Sequence, residues 1–382
     1  MSDSPVEPDA EGSAQGHHPR RALSDAQRHR LDRALKLAVY LVVAYLVLKL
    51  VPALKQALRS LEHASWRWVL GSIALEVLSE TGFVLAWRVI IDPQNVLDRG
   101  GRSRRMDDRI AWAQLGGGLV LPAGSWGGMG LGALILHRFG MPAKLIARRQ
   151  FTLSFLNTAI DALALVVFGV GLAIGIFPGE DNLLLTLLPA VVAATGLTAA
   201  LLIARRAGIY AKRLQAKHPK IAGAITTLAV AVEDTDRLLF HRGSWTSVLG
   251  TVAYLGFDVL VLWGALRAVH AHPFPGFAVV IMAYIIGALG GSIPLPASLG
   301  TVGGMTGMLI IYDVPAHAAL PAVLLYQAIA LLVPLTGGAI AYTILRHHLG
   351  PMRPSAAKDS DRSRTETSEL WADDDPRSES RT

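Results

Sequence analysis

The sequence predicts an all-α polytopic membrane protein with about six full transmembrane helices and two re-entrant hairpins of broken helix in an inverted repeat. Hydrophobic residues make up 52% of the 382 residues and only 17% are charged, a balance typical of a chain that crosses a bilayer repeatedly. Two apolar segments are interrupted by glycine and proline, a device found in transport proteins. The net charge of +7 lies in loops beside apolar runs, which indicates membrane topology rather than nucleic-acid binding.

The later of the two interrupted segments runs from Gly287 to Gly307 and contains Pro294 and Pro296. Proline removes a backbone donor from a helix, and glycine lowers the cost of leaving it. Each arm holds about 15 residues and reaches roughly 22 Å, less than the roughly 30 Å of a bilayer core. Because neither arm crosses comfortably alone, we predict a re-entrant hairpin that lies against protein or a water-lined cavity.

The earlier interrupted segment, from Leu121 to Gly130, carries the same pattern. Its Leu-Pro-Ala and Gly-Gly-Met elements recur in the later segment in the same order, with a longer spacing there. Paired interruptions in two halves of a membrane protein point to a transport site. The alternative explanation is that small residues merely let neighbouring helices pack closely.

The other apolar runs are long enough to span a bilayer. We predict full crossings at Leu35–Val51, Trp66–Ile91, Phe151–Ile176, Leu183–Ala204, Ser247–Val269 and Ala316–Leu345. The resulting division is a disordered cytoplasmic N-terminus (1–30), a transmembrane domain (31–349, with halves at about 31–176 and 183–349) and a disordered cytoplasmic tail (350–382). The basic stretch 205–242 is predicted to lie along the inner membrane surface.

Basic loops predict that the two hairpins enter the membrane from opposite faces. Arginines flank the first hairpin on both sides, which places both of its ends in the cytoplasm. The second hairpin follows the outer turn at His270 and ends at Asp313, also outside. Opposed hairpins of this kind are typical of an inverted repeat. Eight full crossings are the alternative, but they would need spans of about a dozen residues where a helix requires about 20.

Three segments carry a family resemblance: Leu121–Gly130, Pro294–Gly304 and Leu324–Gly338. Together they resemble the flippase-like transmembrane domain of lysylphosphatidylglycerol synthases, a family with many stand-alone members, over roughly Leu35–Leu345. The resemblance implies that the protein handles a lipid or a lipid-linked head group across the bilayer. It also implies a role for Asp161, which resembles an aspartate that the family carries after its first hairpin.

The chain departs from the family pattern at several positions. Met129 and Gly303 stand where a glutamate is common, as does Asn157, and Gln327 stands where an arginine is common. The soluble aminoacyl-transferase domain of the synthases is not recognisable in the sequence. We therefore expect a stand-alone member, for which the resemblance supports no claim of lysyl transfer.

Ionisable residues inside apolar helices are functional candidates because each costs about 2.5–3.5 kcal/mol to insert at the bilayer centre. Glu76 and Glu80 share one helix face. Two carboxylates so close together suit a proton relay or the recognition of a cationic head group. The alternative is that they pair with Arg88, with other buried polar groups or with water. The predicted transport path comprises residues of the helices and of the hairpins: Glu76, Glu80, Pro122, Ser125, Gly128, Asp161, Asp258, Ser292, Pro294, Pro296, Ser298, Thr301, Gly303 and Gln327.

The polar residues of the hairpins and two arginines have simpler explanations as well. The hydroxyl groups of the hairpins, together with the backbone amides that lose their helical hydrogen bonds at the interruptions, could bind an anion. The alternative is that the hydroxyls only form hydrogen bonds with the interrupted backbone. Arg148 and Arg149 are candidates for binding a head-group phosphate through charge-assisted hydrogen bonds, or they are topology determinants. The sequence indicates no metal site and no cofactor, and its lack of cysteine excludes disulfides.

These features favour a lipid flippase or lipid-linked-precursor transporter of the bacterial cytoplasmic membrane, with both termini in the cytoplasm. Its expected partners are membrane lipids (an anionic or aminoacylated phospholipid or a lipid-linked glycan) and no nucleic acid, with homo-oligomerisation left open. An ion-coupled small-solute transporter and a non-transporting scaffold are the alternatives. We do not expect an enzyme, because no hairpin serine has a base at a recognisable spacing.

Overall fold

Long apolar helices dominate the computed structural model, which describes residues 64–99, 105–121, 125–179, 182–207, 209, 219–240, 245–290 and 299–349. Within these ranges every regular element is helical, which confirms the all-α class. The predicted first crossing, Leu35–Val51, and the predicted terminal segments 1–30 and 350–382 lie outside the described residues.

The helices are α1 (Trp66–Ile91), α2 (Val96–Arg99), α3 (Met106–Val120), α4 (Ser125–Arg138), α5 (Ala143–Ala173), α6 (Leu183–Arg205), α7 (Pro219–Phe240), α8 (Trp245–Ala268), α9 (Phe277–Leu289), α10 (Leu299–Ile311) and α11 (Ala316–Leu349). Five of them, namely α1, α5, α6, α8 and α11, are long and apolar enough to cross a membrane. These five are the predicted crossings after the first, so the chain is a multi-pass membrane protein.

Helices α1 and α8 form an extensive antiparallel pair. The Ser65 amide at the start of α1 donates a hydrogen bond of 3.0 Å to the Ala268 carbonyl at the end of α8. Further along, a Cβ placed on Gly82 would lie only 2.7 Å from the Gly250 carbonyl oxygen. These contacts define a Trp66 end and an Ile91 end of the helix bundle.

Each interrupted segment folds as a hairpin of two short helices. Hairpin 1 pairs α3 with α4, and hairpin 2 pairs α9 with α10. The helices hold 15, 14, 13 and 13 residues, about 20–22 Å each, which is short of a bilayer core of roughly 30 Å. The predicted hairpins are therefore confirmed in preference to the alternative of eight full crossings.

Glycines let the two helices of each hairpin touch through their backbones. A Cβ on Gly128 would meet the Gln114 carbonyl oxygen and lie 2.8 Å from the Gly118 amide nitrogen. In hairpin 2 a Cβ on Gly304 would meet the Gly287 carbonyl in the same way. The contacting residues are 14 apart in hairpin 1 and 17 apart in hairpin 2, so the second copy has the longer connection, as its sequence predicts.

The hairpins open at opposite ends of the bundle. The base of hairpin 1, at Met106, packs in one apolar cluster with Ile91 and Leu345. The base of hairpin 2, at Val279, packs in another cluster with Val314 and Ala268. Because α11 runs about 50 Å between these clusters, the two hairpin mouths face away from each other, which agrees with the predicted inverted repeat.

Candidate functional site

Four carboxyl groups gather near the middle of the crossing helices; we call them the acidic cluster. Glu76 and Glu80 project from α1, Asp258 from α8 and Asp161 from α5, and the first three carboxyls all lie within electrostatic reach of one another. Asp161 lies within reach of Asp258. The exposed fractions are 3% for Glu76, 4% for Glu80 and 8% for Asp258. The antiparallel pairing of α1 with α8 brings acids about 180 residues apart in sequence into one site.

Tyrosine side chains surround the acidic cluster. The Tyr284 hydroxyl, from hairpin 2, donates a hydrogen bond of 2.5 Å to Oδ2 of Asp258. The Tyr326 ring of α11 stands edge-on to Tyr284, with 6.0 Å between ring centroids, and Tyr254 of α8 lies close to the same acids. Within the described part of the chain, Oε2 of Glu76, Oε2 of Glu80 and Oδ1 of Asp258 are buried without a hydrogen-bond partner.

Helix α5 carries a line of polar residues on one face, which we call the polar face of α5: Gln150, Ser154, Asn157 and Asp161. Their spacing of four, three and four residues places them along one side of a helix. The Ser154 hydroxyl lies 3.5 Å from the Met129 sulfur of hairpin 1. The Asn157 side-chain oxygen is buried, and no hydrogen-bond partner for it occurs among the described residues. The line covers about 16 Å at 1.5 Å per residue and ends at the acidic cluster.

A groove of about 340 Å³ lies between α4 and the first part of α5; we call it the α4–α5 groove. Small and apolar residues dominate its lining: Met129, Gly130, Ala133, His137, Ala143, Ile146, Ala147, Gln150 and Phe151. Gly130, Ala147 and Phe151 are exposed, so the groove opens on the side of the bundle. Gln150 belongs both to this lining and to the polar face of α5, which joins the two features.

A buried amide network fixes hairpin 1 beside the groove. The side-chain amides of Gln114 and Gln150 form two reciprocal hydrogen bonds of 2.9 and 3.2 Å. The Trp87 indole of α1 donates to the same Gln114 oxygen at 3.0 Å. A satisfied buried network is rigid, so α1, α3 and α5 hold one another in a defined arrangement at this level.

A family model described as the lysylphosphatidylglycerol synthase TM region matches residues 33–338. The chain belongs to this family. The match covers both hairpins, the acidic cluster, the polar face of α5 and the α4–α5 groove, and it confirms the resemblance predicted over Leu35–Leu345. A comparison with curated proteins found no match.

In this member of the lysylphosphatidylglycerol synthase transmembrane family, the two phosphate candidates make contacts within the protein. Arg148 binds Asp234 of α7 in a two-pronged ion pair, with Nε and Nη2 at 2.6 and 2.5 Å from the carboxylate oxygens. Arg149 is buried and donates a hydrogen bond of 2.6 Å to the Ile91 carbonyl at the end of α1. Phosphate binding by either residue stays a prediction, and it would have to compete with these contacts.

Helix α7 lies in the basic stretch that was predicted to follow the membrane surface, and it packs on α5 and α6. Replacing Arg148 by alanine should loosen α7 by about 1–2 kcal/mol, because partly exposed charged hydrogen bonds are lost. Faster proteolysis or amide exchange within residues 219–240 would report the change. The double variant Arg148→Asp/Asp234→Arg should restore protection, whereas Arg205→Ala, at an exposed arginine, should leave it unchanged. Unaltered exchange in Arg148→Ala would contradict this role.

The remaining path candidates fall into two groups. Gly128 packs inside hairpin 1, Gly303 is exposed with no atom within 4 Å of an added Cβ, and Thr301 and Gln327 are half-buried. Six candidates lie outside the described side chains: Pro122, Ser125, Ser292, Pro294, Pro296 and Ser298. The backbone of Ser125 begins α4.

The alternative that Arg88 pairs with the glutamates of α1 is wrong. Arg88 instead approaches Asp107 at 3.5 Å and hydrogen-bonds Asn95. Sequence reasoning missed the tyrosines, which come from helices distant in sequence. It also missed the polar face of α5, which the four-three-four spacing of its residues would have revealed.

Proposed function

We propose that the protein moves a membrane phospholipid or a lipid-linked head group between the leaflets of the bacterial cytoplasmic membrane. The observation that carries the proposal is the α4–α5 groove, which opens on the side of the bundle and continues into the polar face of α5. Membership of the lysylphosphatidylglycerol synthase transmembrane family supports it, because this membrane domain is often linked to lipid flipping.

The groove has the chemistry that a phospholipid requires. Its apolar lining suits acyl chains. The exposed basic residues Arg138 and Lys144 directly follow the lining residues His137 and Ala143 in sequence, where Phe139 and Met141 belong to the same apolar cluster as Ile91. Basic side chains attract phosphate through charge-assisted hydrogen bonds. A phospholipid can therefore place its chains in the groove and its phosphate at the rim.

The polar face of α5 supplies a route for the head group. It starts at Gln150 in the groove wall and ends at Asp161 about 16 Å further along the helix. A head group can slide along these side chains while its acyl chains stay in the surrounding lipid. An ion-coupled transporter of small solutes would call for a polar cavity closed to the bilayer, and the lateral opening of the α4–α5 groove favours lipid instead.

The proposal also covers the orientation of the protein in the membrane, the class of lipid that it moves and the absence of covalent chemistry. The Ile91 end, with its basic rim, faces the cytoplasm, as the distribution of positive charge favours. The transported lipid carries an anionic or aminoacylated head group or a lipid-linked glycan. The protein acts as a transporter and catalyses no covalent step.

The test is a translocation assay with fluorescent phospholipids in proteoliposomes. The Ala147→Trp variant fills the groove with a bulky ring and should slow translocation by about tenfold, a barrier increase of about 1.4 kcal/mol. Leu163→Trp is the matched control, because Leu163 is 52% exposed on the far side of the same helix and should translocate like the unmodified protein.

Two results would count against the proposal. Translocation no faster than in protein-free vesicles, across several anionic and aminoacylated lipids, would remove the transport function. Equal rates for Ala147→Trp and Leu163→Trp would mean that lipid does not use the α4–α5 groove.

A further inference from the structure

Among the residues that the structure describes, no positive charge compensates the acidic cluster. Two ion pairs of the described residues, Arg88 with Asp107 and Arg148 with Asp234, do not include an acid of the cluster. Among the described residues, the titratable groups that face the cluster are its own four carboxyls, from α1, α5 and α8, and the hydroxyls of Tyr254, Tyr284 and Tyr326, from α8, hairpin 2 and α11. In the described part of the chain no arginine, lysine or histidine joins them.

Burial makes this arrangement unfavourable when all four acids are ionised. Glu76, Glu80 and Asp258 are each more than nine-tenths buried, and each has one side-chain oxygen without a partner. An ionised carboxylate out of water is costly unless it is paired, and neighbouring carboxylates repel one another. Tyr284 can stabilise only the second oxygen of Asp258. The structure therefore requires neutralisation from outside the described side chains.

The proton is the cation that fits this geometry. Among the described residues, the carboxyls do not converge as a metal-ligand set. A proton needs only one oxygen, and the unpartnered oxygens of Glu76, Glu80 and Asp258 each offer such a position. Protonation also converts an unpaired acceptor into a hydroxyl that can donate to a neighbouring carboxylate.

We propose that the acidic cluster is a proton-binding site that couples lipid translocation to proton movement; the coupling rests on the proposed function. Asp161 is half-buried and ends the polar face of α5, so it is the point at which protons reach the cluster. From Asp161 a proton passes to Asp258 and then to the glutamates of α1, leaving each donor as a carboxylate. A head group that arrives along α5 meets the same acids and changes their proton affinity.

Proton binding is measured first, without any lipid transport. Infrared absorption of the full chain in nanodiscs at neutral pH should show a protonated-carboxyl band that shifts in heavy water. Glu76→Gln and, separately, Glu80→Gln should each lower the intensity of that band. If one of the two variants does not fold, the other still provides the test. Asp313→Asn is the matched control, because Asp313 is exposed in a turn, and the band should not change. A band that is absent, or equal in all variants, would overturn the proton site and favour a cationic ligand.

Coupling is measured next, in proteoliposomes of phosphatidylglycerol and phosphatidylethanolamine with an imposed pH gradient. Fluorescent-lipid translocation by the unmodified protein should change by about tenfold when the gradient is reversed, an effect of about 1.4 kcal/mol. Glu76→Gln should translocate at a rate that the gradient does not alter. A gradient-independent rate in the unmodified protein would overturn the coupling. If the infrared band behaves as expected while no lipid moves, the proposed function and the coupling fail and the proton site stands.

Discussion

Replacing Gly304 by valine should prevent hairpin 2 from closing and strongly lower the stability of the protein. A Cβ at this position would meet the carbonyl oxygen of Gly287 and lie 3.2 Å from its carbonyl carbon. Overpacking typically costs about 1–3 kcal/mol, and we expect the upper end of that range because backbone atoms cannot rotate away as a side chain can. Thermal unfolding of the purified protein, followed by loss of helical signal, measures the effect.

Gly307→Val is the matched control for this variant. Gly307 lies on the same helix one turn later, and an added Cβ there meets no atom within 4 Å. Both variants undergo the same change in intrinsic helix propensity from glycine to valine, so the difference between them reports the hairpin contact alone. In hairpin 1, Gly128→Val against Gly130→Val should give the same contrast. Equal losses within either pair would show that the backbone contacts do not hold the hairpins together.

Local chemistry made the hairpins predictable. Proline and glycine act on the residues beside them, so the interruptions in the sequence mark the breaks without knowledge of any partner. The spacing of Glu76 and Glu80 likewise places both on one face of α1. These features depend on neighbours within a few residues, and the sequence contains all the information they require.

The partners of these residues could not be predicted because they come from distant helices. Arg148 has the charge expected of a phosphate ligand, yet its carboxylate partner, Asp234, lies 86 residues away. Asp258 reaches the glutamates of α1 only because α8 packs antiparallel to α1. A single sequence states which residues are polar and does not state which of them meet.

Asn157→Leu should slow lipid translocation by about tenfold, a barrier increase of about 1.4 kcal/mol, while leaving stability unchanged or higher. Asn157 lies on the polar face of α5 between Ser154 and Asp161, so its loss interrupts the route of the head group. Its side-chain oxygen is buried without a partner among the described residues. Removing such a group relieves a desolvation cost rather than breaking a hydrogen bond. Translocation and thermal unfolding are measured on the same preparation.

Thr158→Val is the neighbouring control, since the Thr158 side chain is exposed and its hydroxyl donates to the Ser154 carbonyl of its own helix at 2.9 Å. This variant should keep the translocation rate of the unmodified protein. A structural role for Asn157 would instead lower stability and activity together. A rate in Asn157→Leu equal to that in Thr158→Val would mean that the head group passes elsewhere, because a lipid moving along α5 must cross this turn of the helix to reach the acidic cluster.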